Sequence, residues 1–177
     1  AQWFLDLTEP SASFAQLYES RAIEFENSLG LDKAESEDLP EDDARMKSMA
    51  VVTLQLIKRW RNVQYDTREG RQPLSVMIAK LVADAAGNTA TLSHELLHQA
   101  RNLRDLVQQS HDVGQTITVM NPACPAEDCF TDRWPGDLKT QGIFLGDLND
   151  LVTKAEALVY GDLDLPQMQA IMSDLFG

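Results

Sequence analysis

The segment His94-Glu-Leu-Leu-His98 has the residue types and spacing of a zinc site. In the H-E-x-x-H pattern, two imidazoles one helical turn apart bind Zn²⁺ and the glutamate acts as a general base. The apolar stripe of this helix, however, predicts that both histidines point to the solvated face. Arginines at positions 101 and 104 stand where the extended motif has its glycine and its third histidine. Glu127 or Glu156 could supply a distant ligand, but the sequence singles out neither. We therefore expect two surface histidines, and a zinc peptidase is the least favoured alternative.

Two further groups of side chains could do chemistry, and a structural role explains each of them better. Cys124 and Cys129 form a C-x4-C pair with no second pair, which indicates two loop thiols in a reducing compartment rather than zinc ligands. Asp162 and Asp164 alternate as metal-binding carboxylates do, but their position just before Pro166 is typical of a helix-capping turn. The sequence contains no G-x-S-x-G elbow and no glycine-rich phosphate loop.

The overall composition restricts the class of protein. The chain has 177 residues, and its 15 lysines and arginines against 28 aspartates and glutamates give a formal net charge of −13. This length favours one hydrophobic core. The acidic balance argues against a surface that coats DNA or RNA, because phosphates are neutralised by clustered lysine and arginine. No apolar run is long enough for a membrane span and no signal peptide is evident, so we expect a cytoplasmic protein that does not bind membranes.

Apolar residues recur at helical spacing along most of the chain, with proline near several helix starts and glycine after several ends. The predicted helices cover approximately residues 10–30, 44–63, 73–87 and 89–110, then a segment that ends at Gly161, and a last short segment capped by Asp164. Residues 31–43 are rich in aspartate and glutamate and predict an acidic internal loop.

Residues 115–119 carry the one clear strand pattern, and its partner is either a weakly patterned segment or a segment outside this chain. The sequence therefore predicts a mainly α protein, in which residues 1–177 form a single bundle of about six helices with one short strand.

A known family shares several of these segments in the same order. The segment Leu54-Gln-Leu-Ile-Lys58-Arg-Trp60-Arg61, followed by Pro73-Leu-Ser75, resembles the C-terminal helical, oligoadenylate-synthetase-like domain of bacterial cGAS/DncV-like nucleotidyltransferases, the CD-NTases. The resemblance extends over nearly the whole chain. Its other parts are Trp3 with Thr8-Glu-Pro10, the aromatic helix Phe14 to Phe25, the proline-bearing loop from Asn121 to Trp134, and the ending Met172-Ser-Asp-Leu-Phe-Gly177.

The resemblance implies an intact enzyme that makes cyclic di- or trinucleotide messengers from ATP or GTP in antiphage defence. In this family an N-terminal lobe carries a Gly-Ser motif and acidic residues that hold Mg²⁺ for nucleotidyl transfer. This sequence shows no such constellation and begins without a methionine. We therefore expect no catalytic residue and no metal ligand here, and expect the chain to be the C-terminal part of a larger enzyme whose N-terminal catalytic lobe is its partner.

The same resemblance assigns two residues to nucleotide binding. In the family a lysine on this helix and a serine that opens the next helix contact the triphosphate, and the matching positions are Lys58 and Ser75. A chain with a net charge of −13 must concentrate positive charge to bind a triphosphate, and the helix around Lys58 is its most basic segment. Lys58 could instead be a solvated charge and Ser75 an ordinary first-turn residue. The alternative function is a free-standing interaction domain in which Trp60 and the basic helix dock an acidic protein.

Overall fold

The computed structural model describes residues 48–87 and 89–177, and this part of the chain is mainly helical. Its helices are α1 (Met49–Tyr65), α2 (Ser75–Asp84), α3 (Leu92–Asp112), α4 (Leu138–Tyr160) and α5 (Leu165–Phe176). They correspond to the last five of the six predicted helices. The helix predicted over residues 10–30 and the acidic loop 31–43 lie outside the described residues, so the count of six stays a prediction. Within residues 48–87 and 89–177, no helix combines the length and apolarity that a membrane crossing requires.

Helix α1 carries the central aromatic residue of the core. The helix begins after Ser48, whose Oγ accepts a hydrogen bond from the Val51 backbone N–H at 3.3 Å. About three turns later Trp60 is completely buried, and its ring centroid lies 6.1 Å from that of Phe144. The expectation that Trp60 docks a partner protein is therefore wrong, because this indole is already packed inside the protein.

The core is built between α3 and α4, which form the most extensive helix contact, with α1 packed on α3. Leu103 and Val107 of α3 and Leu148 and Leu151 of α4 are fully buried. Each such side chain contributes about 1.5–3 kcal/mol of burial free energy. This burial explains why helical spacing predicted these elements well, since the apolar residues at that spacing are the ones that meet in the core.

The prediction of a strand at residues 115–119 is corrected by the structure. This segment is extended but forms no regular strand. Its backbone is held mainly by side chains: Ile117 N–H donates to Gln141 Oε1 at 2.7 Å, and Val119 N–H donates to Thr131 Oγ1 at 3.0 Å. A single antiparallel bridge joins Met120 to Cys129. The alternating pattern predicted a strand because Ile117 and Val119 are buried while their neighbours are exposed. An extended segment that is held by side chains produces the same alternation.

Helix α5 begins at the predicted cap and ends against α1. Asp164 and Gln167 form a capping box, in which the Asp164 carboxylate accepts from the Gln167 N–H at 2.9 Å, so the capping prediction is confirmed. At the other end Arg59 Nε donates to the Phe176 carbonyl at 2.7 Å. The end of α5 is thereby attached to α1 at Arg59, the residue that follows Lys58 in the sequence.

Candidate functional site

The candidate site lies where the second half of α1 meets the start of α2, and a buried arginine joins the two helices. Arg61 is 6% exposed. Its Nη1 donates to the Pro73 carbonyl at 3.0 Å and to Ser75 Oγ at 2.8 Å. Its Nε and Nη2 both donate to Asn62 Oδ1, at 3.2 Å and 2.7 Å. Arg61 therefore fixes the position of the serine hydroxyl relative to α1.

Lys58 lies one helical turn before Arg61 on α1, and the two side chains are close enough for their charges to interact. Partial burial, together with the positive charge of Arg61, lowers the pKa of the Lys58 ammonium. Within the described part of the chain, the Lys58 ammonium makes no hydrogen bond or ion pair with another side chain. The ammonium is therefore available to an anion, whose binding would relieve the repulsion from Arg61.

Ser75 is the first residue of α2, and among the residues that the structure describes no side chain caps the start of this helix. The N-cap position is Leu74, which has no hydrogen-bonding side chain, and the first turn contains no acidic residue. The first N–H groups of a helix have no partner within the helix, and the helix dipole favours negative charge there. Ser75 thus presents its hydroxyl at a helix end whose electrostatics suit a phosphate group.

An open cavity of about 830 Å³ adjoins this junction. It extends from the end of α1 along the loop that leads to α2, and its lining residues are Asn62, Tyr65, Asp66, Gly70, Arg71, Gln72, Leu74 and Arg133. Asn62 and Leu74 are the direct sequence neighbours of Arg61 and Ser75, so the cavity lies immediately beside them. Arg71 Nη1 donates to the Arg133 carbonyl at 3.2 Å, which connects the loop before α2 with the segment before α4.

An ion pair between α4 and the residues that follow α1 lies beside Tyr65, which lines the cavity. Arg68 binds Asp147 through both of its terminal nitrogens, at 2.5 Å and 2.8 Å, and its guanidinium carbon lies 5.0 Å from the centre of the Tyr65 ring. Burial and the Asp147 carboxylate raise the pKa of the Tyr65 phenol to about 12. Tyr65 is therefore a neutral, well-anchored aromatic wall at physiological pH.

Two known proteins are similar to this chain over nearly its whole length. A curated relative, the cyclic dinucleotide synthase CdnG of Bradyrhizobium diazoefficiens (strain USDA 110), is 35% identical over 182 residues, which covers 99% of this chain and 42% of the relative. This chain is a homologue of a CD-NTase. The solved structure of the Bradyrhizobium diazoefficiens CD-NTase CdnG in complex with GTP matches with a TM-score of 0.78 and 32% identity, over 99% of this chain and 50% of that chain. No protein-family model matches the chain.

These comparisons confirm the resemblance to the CD-NTases that the residues indicated. The chain spans half or less of the length of the relatives it matches. The roles of Lys58 and Ser75 in this CD-NTase homologue stay predictions, although the structure brings both residues to Arg61. Sequence reasoning missed Arg61 and the cavity arginines Arg71 and Arg133. The position of Arg61 one turn after Lys58 was the available signal, whereas the arginines of the cavity come together only through the fold.

The H-E-x-x-H segment of this CD-NTase homologue lies at the start of α3, and its glutamate has a structural role. His94 and His98 are exposed, as predicted. Glu95 is completely buried, and its carboxylate accepts from Thr89 Oγ1 at 2.9 Å and from Gln99 Nε2 at 2.8 Å. These bonds hold the loop between α2 and α3 and leave Glu95 unsuited to act as a general base. Residues 48–87 and 89–177 also contain no group of three or more His, Cys, Asp or Glu side chains arranged to hold a metal ion.

The two cysteines are free thiols in the loop that precedes α4, as predicted. Cys129 Sγ lies 3.2 Å from Thr131 Oγ1, and Cys124 Sγ lies 3.9 Å from Glu127. The contacts of the two thiols are to a carboxylate, a carbonyl and a hydroxyl oxygen. Their environment is that of ordinary loop side chains.

Proposed function

We propose that this chain is the C-terminal, nucleotide-binding helical half of a cytoplasmic CD-NTase that makes cyclic di- or trinucleotide messengers from ATP or GTP for antiphage defence. The observation that carries the proposal is the junction of α1 and α2, where Lys58, Arg61 and Ser75 concentrate positive charge and donors on a chain of net charge −13. The match to a GTP-bound CD-NTase over 99% of this chain supports it.

The triphosphate is the part of the substrate that this junction suits. Lys58 supplies a mobile point charge, and Ser75 supplies a hydroxyl at the positive end of α2. A phosphate placed between them would also interact with the buried charge of Arg61 without displacing any carboxylate, since the hydrogen-bond partners of Arg61 described above are all neutral. Charge-assisted hydrogen bonds of this kind are about twice as strong as neutral ones.

The adjacent cavity suits the rest of a nucleotide. Its volume of about 830 Å³ is within the range of small-molecule sites. Its lining combines the Tyr65 ring with the charged side chains Asp66, Arg71 and Arg133. A nucleoside needs both kinds of surface, because its base has apolar faces and polar edges.

The catalytic chemistry belongs to the other half of the proposed enzyme. We propose that an N-terminal lobe supplies acidic residues that hold Mg²⁺, and the bound metal would stabilise charge during nucleotidyl transfer. The described residues do not form a metal site of their own. The contribution of this chain is therefore to bind and orient the nucleoside triphosphate.

The proposal is tested by titrating GTP and ATP into the purified full-length protein and its Lys58→Ala variant. Loss of one charged hydrogen bond to phosphate costs about 1.5–3 kcal/mol, so we expect affinity to fall about 10- to 100-fold. Lys139→Ala is the matched control, because Lys139 is an exposed lysine on α4 that does not line the cavity. Equal affinity of the Lys58→Ala variant and the wild type would remove Lys58 from the site.

A further inference from the structure

We propose that Arg61 is a positioning residue, which orients the Ser75 hydroxyl so that its hydrogen points to a bound phosphate. The proposal rests on the proposed function, since it deepens the account of how this junction binds a nucleoside triphosphate. It assigns a role to a residue for which neither the helical pattern nor the resemblance to the CD-NTases gave one.

The first argument is the direction of the hydrogen bond between these two side chains. Arg61 Nη1 is 2.8 Å from Ser75 Oγ, and a guanidinium can only donate, so the serine oxygen accepts. A hydroxyl has one hydrogen and two lone pairs. With one lone pair taken by Arg61, the hydroxyl hydrogen is directed away from the guanidinium and is free to donate to an anion at the end of α2.

The second argument is the absence of a competing acceptor within the helix. A serine inside a helix often donates to the carbonyl four residues earlier, as Ser110 does to Leu106 at 3.3 Å. Ser75 is the first residue of α2, so the residue four positions earlier, Arg71, lies in the loop. Among the described residues, the hydrogen bond from Arg61 is the contact that sets the orientation of the Ser75 hydroxyl.

The third argument is the charge of Arg61 itself. Arg61 is 6% exposed as a residue, and burial lowers its pKa. Its partners in the described structure are an amide, a carbonyl and a hydroxyl, none of which carries a negative charge. Buried charges in proteins are normally paired. A triphosphate at the Ser75 hydroxyl would supply the missing negative charge one hydrogen bond away.

A purely mechanical role is the competing explanation, in which Arg61 only ties α1 to the Pro73 carbonyl. The two roles differ in how the effect of changing Arg61 depends on Ser75. A positioning role acts through the hydroxyl and disappears when the hydroxyl is removed. A mechanical role persists in its absence.

The experiment is a double-mutant cycle on GTP affinity in the full-length protein, with Arg61→Lys, Ser75→Ala and the double variant. Pro73 and Ser75 both accept from Nη1 of Arg61. Lysine keeps the charge but lacks the Nε and Nη2 donors that hold this group on Asn62, so its donor is no longer fixed toward Ser75. We expect each single change to reduce GTP affinity about five- to tenfold. The GTP affinity of the double variant should be at most about twofold below that of the single variant that binds GTP less tightly. Arg59→Lys is the matched control on the same helix, because Arg59 contacts the end of α5 instead, and it should bind GTP as the wild type does.

Multiplication of the two single effects in the double variant would overturn the proposal, as would wild-type affinity of Arg61→Lys. Should Arg61→Lys fail to fold, Asn62→Ala replaces it in the cycle with Ser75→Ala, since this change leaves the guanidinium in place and releases its other edge. The same expectations apply to that cycle. Unchanged GTP affinity in both Lys58→Ala and Ser75→Ala would instead show that the proposed function is wrong, and the role of Arg61 would fall with it.

Discussion

The start of α3 and the junction of α1 with α2 both contain residues that could do chemistry, and they differ in whether those residues are already used. At the start of α3 the Glu95 carboxylate accepts two side-chain hydrogen bonds inside the protein. At the junction the Lys58 ammonium is partly buried, feels the positive charge of Arg61 and has no carboxylate partner among the described residues. A group that the fold has already satisfied stabilises structure, whereas a group that the fold leaves unsatisfied is available for a ligand.

The strongest test of this difference is Glu95→Ala. The change removes a buried carboxylate that accepts hydrogen bonds from Thr89 and Gln99, and a hydrogen bond to a charged group contributes about 1.5–3 kcal/mol. We expect the free energy of unfolding to fall by about 3 kcal/mol in a urea titration, with GTP affinity unchanged wherever the variant is folded. A stable variant with altered metal content or GTP affinity would show that Glu95 is functional after all.

The comparison also shows what the sequence could and could not predict. Local signals worked well: the Asp164 cap and the exposure of His94 and His98 depend on helical spacing and neighbouring residues alone. Burial of Glu95 was missed, although its position four residues before the buried Gln99 was a usable signal. The bond from Arg61 to Ser75 crosses a nine-residue loop whose path depends on Pro73 and on the Arg68–Asp147 pair, so no local pattern could predict it.

The second test uses pH at the junction. Because burial and Arg61 lower the pKa of Lys58, the ammonium loses its proton at lower pH than a free lysine, whose pKa is 10.5. The protonated form binds phosphate, so GTP affinity should fall as pH rises through the lowered pKa, and by about tenfold once Lys58 is neutral. Lys58→Arg stays charged and should flatten this part of the pH profile. A wild-type profile that is flat up to the pKa of free lysine would contradict the interpretation.

A third, smaller effect should appear in the stability of the protein at alkaline pH, through Tyr65 in the cavity wall. The raised pKa of Tyr65, about 12, means that the fold favours the neutral phenol. This contribution to stability is fully present below about pH 10, the pKa of an unperturbed tyrosine, and is lost as pH rises to about 12. Urea titrations should therefore show that the wild type loses stability relative to Tyr65→Phe over this range. Parallel stability curves for the two proteins would mean that Tyr65 is not held in this environment.

The smallest effect is expected for the histidines of the H-E-x-x-H segment. His94 and His98 are exposed, and their ring nitrogens lie at hydrogen-bond distance from Thr91 Oγ1, at 2.7 Å, and from the Ala85 carbonyl, at 3.0 Å. The double change His94→Ala with His98→Ala should leave zinc content, measured after zinc loading and dialysis, the same as in the wild type. Bound zinc that is lost in the double variant would revive the zinc peptidase alternative.

The most direct test of the central claim, that a nucleoside triphosphate binds at the junction of α1 and α2, is a GTP titration of the full-length wild type and of its Lys58→Ala and His98→Ala variants. We expect Lys58→Ala to weaken binding about 10- to 100-fold and His98→Ala to leave it unchanged. Wild-type affinity in the Lys58→Ala variant, or an equal loss in the His98→Ala variant, would contradict the claim.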